Sequence, residues 1–313
     1  MAESRRIKHR KTVSYAKWAY IFIIPFFVSY ILFTLVPQLL TIYNSFFENY
    51  MNGLQQIGPN FVGLGNYKAL LSPGQSGTID ILKYFGNTMA LWILGAVPQF
   101  LIALMLAVIF TSARLNIKGQ GLAKAIIYMP NLIMASAFSM LIFALFSKVG
   151  PINKYLVASG IIEQSFDFLT VKVSVRSLIA LLNFLMWFGN TTIVLMAGIM
   201  GIDQSLFESA EIDGSNSIQV FFDITLPLLM PILSYALITS LIGGIQMFDV
   251  PQVLTNGRGT PNLTSTTVIM MLNNFLSGSK NYGRAGAVSV LLFIITGILS
   301  TIVYRMLAKQ YKD

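Results

Sequence analysis

Residues 177–202 read SLIALLNFLMWFGNTTIVLMAGIMGI, a run without a single charged side chain. A helix needs about 20 predominantly apolar residues to cross the hydrocarbon core of a bilayer. Because backbone N–H and C=O groups find no water in lipid, such a run must be helical or shielded by protein. The run therefore predicts a membrane-spanning helix.

Five more charge-free windows of this kind lie on either side of that run. Together they predict six spans, at residues 18–45, 84–111, 125–147, 177–200, 226–248 and 285–304. Only 11% of the 313 residues are charged, against about 25% in an average soluble domain, and a lipid environment explains the difference. The expected fold class is all-α, a polytopic membrane protein with six transmembrane helices.

Two prolines and one polar stretch add detail to this pattern. Pro25 and Pro37 are expected to kink or end the first span, because proline lacks the N–H that a helix interior needs. Residues 259–279 are also free of charge, but Thr, Asn, Ser and Gly dominate them. We expect them to form an extracytoplasmic loop with a short helix near residues 267–275.

Lysine and arginine are concentrated in three segments that lie on one side of a six-span chain. These segments are an N-terminal tail at residues 1–17, the loop after the second span, and the C-terminal tail. They contain Arg5, Arg6, Lys8, Arg10, Lys11, Lys17, Arg114, Lys118, Lys124, Arg305, Lys309 and Lys312. Since basic segments stay in the cytoplasm, we expect a multi-pass membrane protein, with a membrane domain at residues 18–313 and both termini cytoplasmic.

The charge distribution, the residue composition and one missing motif argue against several functions. The chain has a net charge of +9, and six of its basic residues are clustered before the first span, which favours anionic lipid headgroups over nucleic acid as their partner. The chain has no cysteine and one histidine, His9, so neither thiol catalysis nor a metal site is expected. No G-x-x-x-x-G-K-[ST] motif occurs, so the chain cannot hold ATP phosphates in a P-loop by itself.

The segment 201–225, called the acidic loop below, contradicts the basic pattern of the cytoplasmic side. It has no lysine or arginine, and its acids are Asp203, Glu208, Glu211, Asp213 and Asp223. A basic partner surface is one reason for such a loop. It reads as two short helices: Asp203 or Ser205 caps the first, Gly214 ends it in a left-handed turn, and Asp213 or Ser215 begins the second.

The acidic loop carries a family resemblance. Residues 206–214 read LFESAEIDG and residues 221–227 read FFDITLP. They resemble the EAA loop of binding-protein-dependent ABC importer permeases, with Ser209 in place of one alanine. In that family the loop docks on the ATPase subunit, and the resemblance assigns this coupling function to Leu206, Phe207, Glu208, Ser209, Ala210, Asp213 and Gly214.

Two other stretches narrow the resemblance to MalF-like sugar permeases. Residues 61–67, FVGLGNY, and residues 248–257, FDVPQVLTNG, are similar to segments after the first and fifth spans of that family. The resemblance implies the type I ABC importer permease fold, a location in a bacterial plasma membrane and no catalysis by this chain. It also implies several partners: a second, MalG-like permease, two ATPase subunits that bind ATP and Mg²⁺, and an extracytoplasmic sugar-binding protein.

Polar residues within two spans predict a substrate site. Asn183, Trp187 and Asn190 share one face of the fourth span because of their i, i+4, i+7 spacing. Amides can bond sugar hydroxyls, and an indole can stack on a sugar ring. The fifth span adds Ser240 and Gln246, and Asp249 lies at its outer end. The family resemblance implies that sugar contacts lie in the fourth and fifth spans. Gly244 and Met247 stand where the maltose member has amides, so the sugar is expected to differ from maltose.

Other interpretations of these polar residues remain open. The proposed sugar contacts could instead be hydrogen bonds between helices or to the partner permease. The remaining polar residues of the spans are expected to serve packing or partner contacts: Asn87, Gln99, Asn131 and Ser136. A non-transporting scaffold subunit would have the Asn183 and Trp187 face occluded by protein. A secondary transporter would show inverted repeats and an acid within a span, and neither is visible. Because no predicted span contains Arg or Lys, di- or oligosaccharides are favoured over a phosphorylated substrate.

Overall fold

The computed structural model of the protein describes residues 16–74, 79–112, 115 and 118–309. Within them, six helical stretches are long and apolar enough to cross a membrane: Lys17–Ser45, Asp80–Thr111, Ala135–Ala158, Lys172–Met200, Ser217–Leu254 and Tyr282–Leu307. Two of them, Ala135–Ala158 and Ser217–Leu254, each contain a short non-helical break. The expected class of a six-span helical membrane protein is confirmed. The predictions that concern residues 1–15, Arg114 and Lys312 lie outside the described residues.

The spans and their connections contain fourteen α-helices and one β-hairpin in the described part of the chain. In chain order they are α1 Ala16–Tyr30, α2 Val36–Ser45, β1 Phe47–Asn52, β2 Gln55–Phe61, α3 Gly65–Leu71, α4 Asp80–Thr111, α5 Gln120–Tyr128, α6 Ala135–Phe146, α7 Pro151–Ala158, α8 Lys172–Met200, α9 Gln204–Ile212, α10 Ser217–Gln219, α11 Leu226–Ile245, α12 Asp249–Leu254, α13 Val268–Asn273 and α14 Tyr282–Lys309.

The first span continues through both of its prolines. Pro25 lies inside α1, and a π-helical turn at Ile31–Leu35 connects α1 to α2. Pro37 follows that turn in the first turn of α2, where an N–H is not needed for the helix. Of the two expected effects, neither proline ends the span, and a π-helical irregularity lies directly before Pro37. The side chains of residues 17–30 are exposed within this chain.

The predicted third span, residues 125–147, is interrupted. After α5 come a 3₁₀ turn at Met129–Leu132 and two extended residues, and only then does α6 begin. The fourth span holds this break in place: the Asn131 amide donates to the Met186 carbonyl at 2.9 Å. A Cβ atom on Gly189 would overlap the carbonyl of Ile127. The interruption is thus stabilised by a neighbouring helix, which the apolar pattern alone does not reveal.

The second and fourth spans form the centre of the bundle. α4 packs along α8, and the largest fully buried side chains include Leu91, Ile179, Leu182 and Leu195. α11 packs against both helices and also against α14, where Ile245 and Val288 are buried in a second apolar cluster. These contacts fix the relative positions of the three helices that surround the candidate site.

One end of the bundle carries the β-hairpin, which the sequence analysis did not predict. β1 and β2 are antiparallel, and α3 follows them directly. The Asn66 amide donates to the carbonyls of Ser45 and Phe47, both at 2.9 Å, and the Tyr67 hydroxyl donates to Ser45 Oγ at 2.7 Å. The FVGLGNY stretch therefore attaches the hairpin to the end of the first span. This end of the bundle is called the hairpin end below.

An arginine inside a span connects three elements at the hairpin end. The fourth span begins at Lys172 rather than at residue 177, so the expectation that the spans contain no Arg or Lys is wrong. Arg176 donates to Asn87 Oδ1 at 2.6 Å and to the Thr264 carbonyl at 2.7 and 3.1 Å. Asn87 in turn donates to the carbonyls of Leu263 and Thr266. These bonds hold the loop before α13 against the second and fourth spans.

Candidate functional site

A cavity of about 480 Å³ lies between the second, fourth and fifth spans. Its size is within the range of about 300–1,000 Å³ that is typical of small-molecule sites. None of the described residues that line it is charged. The lining residues are Trp92, Ala96, Gln99, Asn183, Trp187, Asn190, Thr191, Val194, Tyr235, Ala236, Thr239, Ser240, Gly243, Gly244 and Met247.

Four of the six residues predicted for substrate binding line this cavity. Asn183, Trp187 and Asn190 face it from α8, and Ser240 faces it from α11. Trp187 is 48% exposed in this chain, so its indole is accessible rather than packed. The helical spacing of the α8 residues gives them a common face, and the packing of α4 and α11 turns that face toward a cavity.

The other two predicted residues, Gln246 and Asp249, are not among those that line the cavity. α11 ends at Ile245, and Gln246 is its C-terminal cap with an exposed side chain. Asp249 begins the separate helix α12, and its side chain is exposed. The helical spacing that was extended from Ser240 to these residues does not apply beyond the end of α11. The wall of this cavity therefore does not include these two residues, and their assignment to the substrate site stays a prediction.

The second span supplies two polar side chains to the cavity. Trp92 Nε1 donates to Ser240 Oγ at 3.1 Å, and Gln99 Nε2 donates to Thr191 Oγ1 at 2.8 Å. From the sequence, Gln99 is expected to serve packing or partner contacts, and Trp92 is not predicted for the site. Their spacing of i, i+7 puts them on one face of α4, which is the signal that could have identified them.

Asn183 lies at the side of the cavity nearest the hairpin end. Its amide donates to the Ile179 carbonyl at 2.9 Å and to Met247 Sδ at 3.5 Å. Within the described residues no hydrogen-bond donor reaches its Oδ1 atom. An amide oxygen can accept two hydrogen bonds, so Asn183 presents an acceptor to whatever occupies the cavity.

The composition of the wall limits what the cavity can bind. Amides and hydroxyls can exchange hydrogen bonds with a neutral polar ligand, and the rings of Trp92, Trp187 and Tyr235 offer apolar faces. An ion would be desolvated there without an opposite charge, which is costly. Among the described residues, no group of three His, Cys, Asp or Glu side chains could hold a metal ion. The cavity therefore fits a neutral molecule with several hydroxyl groups.

The acidic loop lies at the opposite end of the bundle and forms the predicted pair of helical segments. The Asp203 side chain caps α9 by accepting from the Ser205 N–H at 2.9 Å. This hydrogen bond lowers the pKa of Asp203, so its carboxylate is ionised at neutral pH. Gly214 has φ +78° and follows the end of α9, and the N–H of Ser215 bonds the Ala210 carbonyl at 2.9 Å, as in a Schellman motif.

The second helix of the acidic loop begins one residue later than expected. Asn216, not Asp213 or Ser215, is its N-terminal cap, and Asn216 and Gln219 form a reciprocal capping box. The preceding left-handed turn at Gly214 places Asn216 in the extended conformation that such a cap requires. From Asn216 the chain continues into the fifth span.

The surface of the acidic loop combines acids with apolar side chains. Ala210 is buried and Phe207 is half-buried, while Glu208, Ser209 and Asp213 are exposed. Leu206 is 42% exposed and Ile212 is 86% exposed. Two further exposed apolar residues of the loop, Ile218 and Phe222, were not predicted from the sequence. Exposed apolar side chains beside a group of acids are typical of a protein interaction surface.

A family model described as "Binding-protein-dependent transport system inner membrane component" matches residues 88–313. The chain belongs to this family. The match includes every residue that lines the cavity and the whole acidic loop. Together with the six spans, it establishes a multi-pass inner-membrane permease subunit, which contributes no catalytic site of its own.

The permease is similar to several transport proteins over most of its length. The probable ABC transporter permease protein YesP of Bacillus subtilis is 28% identical over 97% of this chain and 93% of the relative. The lactose transport system permease protein LacF of Rhizobium radiobacter is 31% identical over 68% and 72%. The trehalose/maltose transport system permease protein MalF of Thermococcus litoralis is 28% identical over 98% of each chain.

The fold of the permease is also similar to a solved structure. A chain in the crystal structure of a bacterial ABC transporter involved in the import of the acidic polysaccharide alginate superimposes with a TM-score of 0.78. The match covers 94% of this permease and 96% of that chain, at 21% identity. The expected ABC importer permease fold is thereby confirmed.

Proposed function

We propose that the permease forms half of the translocation path of an ATP-driven importer for di- or oligosaccharides. The observation that carries this proposal is the uncharged cavity among the second, fourth and fifth spans. Its amides, hydroxyls and aromatic rings match the hydroxyls and the C–H faces of a sugar. The names of the relatives, which include lactose and trehalose/maltose transport systems, support the same substrate class.

Within the cavity, four residues are proposed to contact the sugar or to shape its site. Asn183 and Asn190 bond hydroxyl groups, and Trp187 stacks on a sugar ring. Ser240 lies opposite them on α11, and its oxygen already accepts a hydrogen bond from Trp92. A second permease subunit of the same family closes the path from the other side.

The acidic loop is proposed to couple the permease to the ATPase. Its exposed acids match a basic surface, and its exposed apolar residues add contact area that water would otherwise cover. We assign this contact to Leu206, Phe207, Glu208, Ser209, Ala210, Asp213 and Gly214. ATP and Mg²⁺ are bound by the ATPase subunits, whose closure moves α9 and shifts the bundle between inward-open and outward-open states.

The proposed orientation of the permease in the membrane follows from the proposed docking of the ATPase on the acidic loop. ATP is available in the cytoplasm, so the acidic loop and both chain termini lie on the cytoplasmic side. The basic residues of the N-terminal tail agree with this orientation. The hairpin end then faces outward, where an extracytoplasmic sugar-binding protein docks and delivers the substrate.

The two alternative functions, a non-transporting scaffold subunit and a secondary transporter, predict different structural features. A scaffold subunit predicts that the face of Asn183 and Trp187 is occluded, yet within this chain Trp187 is 48% exposed. A secondary transporter needs an acid or another charged side chain on the ion path, and the described residues that line the cavity include no Asp, Glu, Lys, Arg or His. Both observations favour the ATP-driven importer.

Transport by the assembled importer tests the proposal. The permease is purified with its partner permease and ATPase subunits, reconstituted in proteoliposomes, and supplied with the sugar-binding protein outside and ATP inside. Radiolabelled lactose, trehalose, maltose and arabinotriose are the probes. We expect ATP-dependent accumulation of at least one of them. Failure to accumulate any of the four, with intact complexes, would reject the proposed substrate class.

A further inference from the structure

Trp92 is held in one orientation at the wall of the cavity. Its indole N–H donates to Ser240 Oγ at 3.1 Å, across the interface between α4 and α11. The rest of the side chain is partly buried and packs against two apolar clusters, one that includes Leu91 and one that includes Ile245. The indole nevertheless lines the cavity. One part of the ring system is therefore fixed by protein, and another part is available to a ligand.

Gly244 provides the space that the indole occupies. A Cβ atom on Gly244 would overlap Cδ1 and Cγ of Trp92, so any larger residue at this position would displace the ring. The neighbouring Gly243 also lines the cavity, but a Cβ atom there would meet no described atom within 4 Å. Gly244 must therefore lack a side chain, whereas Gly243 has room for one.

A fixed indole is well suited to bind a sugar ring. The C–H groups on one face of a pyranose form an apolar surface, and an aromatic ring covers such a surface favourably. A ring that is already immobilised loses little conformational entropy when the ligand binds. The hydrogen bond to Ser240 and the space at Gly244 supply this immobilisation without contributing charge.

We propose that Trp92 is a specificity-determining residue that stacks on one ring of a neutral sugar, and that Ser240 and Gly244 position its indole. This inference rests on the proposed sugar-import function and specifies the substrate class. Rings that expose a flat C–H face are favoured. Uronic acids are disfavoured, because their carboxylate would be desolvated beside an aromatic face with no cation among the described lining residues.

Occupancy of the cavity can be measured without transport, since the chain contains no cysteine. Gly243→Cys introduces one thiol that faces the cavity at a position with free space. In the complete importer, with cysteine-free partner subunits, the rate of its reaction with a small methanethiosulfonate reagent is recorded against increasing concentrations of the same four sugars. The sugar concentration that gives half-maximal protection reports binding in the cavity, independently of the binding protein.

We expect Trp92→Leu to raise this half-protection concentration about tenfold, and Trp92→Phe, which keeps a smaller aromatic face, about threefold. Ser240→Ala and Gly244→Ala should change it in the same direction. Gly244→Ala should add nothing further in the Trp92→Leu background, because two residues that act through one ring are not additive. Trp18→Leu, in the exposed first span, is the matched control and should leave protection unchanged. Glucuronic acid should give no protection in the parent protein.

The outcomes separate the inference from the proposed function. If the sugars protect Gly243→Cys equally well in the parent, Trp92→Leu and Trp92→Phe proteins, the role of Trp92 is refuted while sugar import stands. If no sugar protects and none is accumulated, both proposals fall. Should Trp92→Leu not assemble, the Ser240→Ala and Gly244→Ala proteins decide: protection unchanged in both contradicts the positioning of the indole. Additive effects in the double variant contradict it as well.

Discussion

The cavity and the acidic loop differ in how their residues are brought together. The bond from Trp92 to Ser240 joins residues 148 positions apart, and Gln99 and Thr191 are 92 positions apart. In the acidic loop, the bonds that cap and end α9 join residues only a few positions apart. The cavity therefore depends on how three spans pack, whereas the shape of the loop depends on its own sequence.

The two regions also differ in the chemistry they offer. The cavity wall is uncharged and recognises a ligand through hydrogen bonds and aromatic faces, which become strong once water is excluded. The acidic loop is exposed and offers acids beside apolar residues, a combination that suits a large protein partner. A substitution should thus affect sugar binding in one region and subunit assembly in the other.

The largest effect is expected from reversing a charge in the acidic loop. Glu208→Lys places a cation on an exposed position of α9 that is proposed to face a basic ATPase surface. Like charges at such a contact cost several kcal/mol, so we expect the ATPase to be lost from the purified complex and uptake to fall about 100-fold. Affinity purification through the permease measures the amount of ATPase that stays bound, and a proteoliposome assay measures sugar uptake.

The matched control for this charge reversal is Glu163→Lys, because Glu163 is also exposed but lies in the connection between α7 and α8. It should retain the ATPase at the parental yield. Recovery of the ATPase at that same yield with Glu208→Lys would contradict the docking role of α9 and remove the distinction drawn between the two regions.

A substitution in the cavity should change uptake and leave assembly intact. Trp187→Ala removes an indole that lines the cavity and is 48% exposed in this chain, so we expect the initial uptake rate to fall about tenfold at unchanged complex abundance. Trp18→Ala is the control, since Trp18 is 60% exposed in the first span and does not line the cavity. Unchanged uptake by the Trp187→Ala protein would exclude Trp187 from the sugar site.

The dependence of the cavity region on tertiary contacts can be tested at the hairpin end. Arg176→Met removes the three hydrogen bonds to Asn87 and Thr264 and leaves their acceptor oxygens unpaired. An unsatisfied buried acceptor costs about 1–3 kcal/mol, so the detergent-solubilised complex should unfold roughly 5 °C lower in a thermal-shift assay. Arg258→Met, at an exposed arginine, should not change the unfolding temperature. A stable Arg176→Met protein would show that these bonds do not hold the loop.

The smallest effect is expected at the cap of α9. Asp203→Ala removes the acceptor for the Ser205 N–H and should slightly reduce ATPase activity stimulated by the binding protein, whereas Asp203→Asn keeps a good cap. Because the pKa of Asp203 is lowered below its ordinary value of 3.8, the cap stabilises the loop above that pH and is lost as the pH falls through the lower value. Between about pH 5 and 8, the parent and Asp203→Asn proteins should therefore show the same pH dependence; a divergence would mean that Asp203 titrates elsewhere.

Agreement between prediction and structure is best where the signal is local. The absence of charge over a window of about 20 residues identifies a span, and all but one of the predicted windows contain a long, continuous helix. The exception is the third, where Pro130 and the contact of Asn131 with the fourth span interrupt the helix. Pro130 is a local signal within the window, but the contact with the fourth span that holds the break cannot be read from the window itself.

By itself, the sequence determined the number of spans, the capped helix of the acidic loop and the common face of Asn183, Trp187 and Asn190. Each of these depends on hydrophobicity or hydrogen bonding within a few turns of one chain segment. Only the tertiary structure decided that Trp92 and Gln99 join that face, that Gln246 and Asp249 do not, and that Gly244 leaves room for an indole. A cavity is the space left between helices, so its walls are set by packing between residues far apart in the chain.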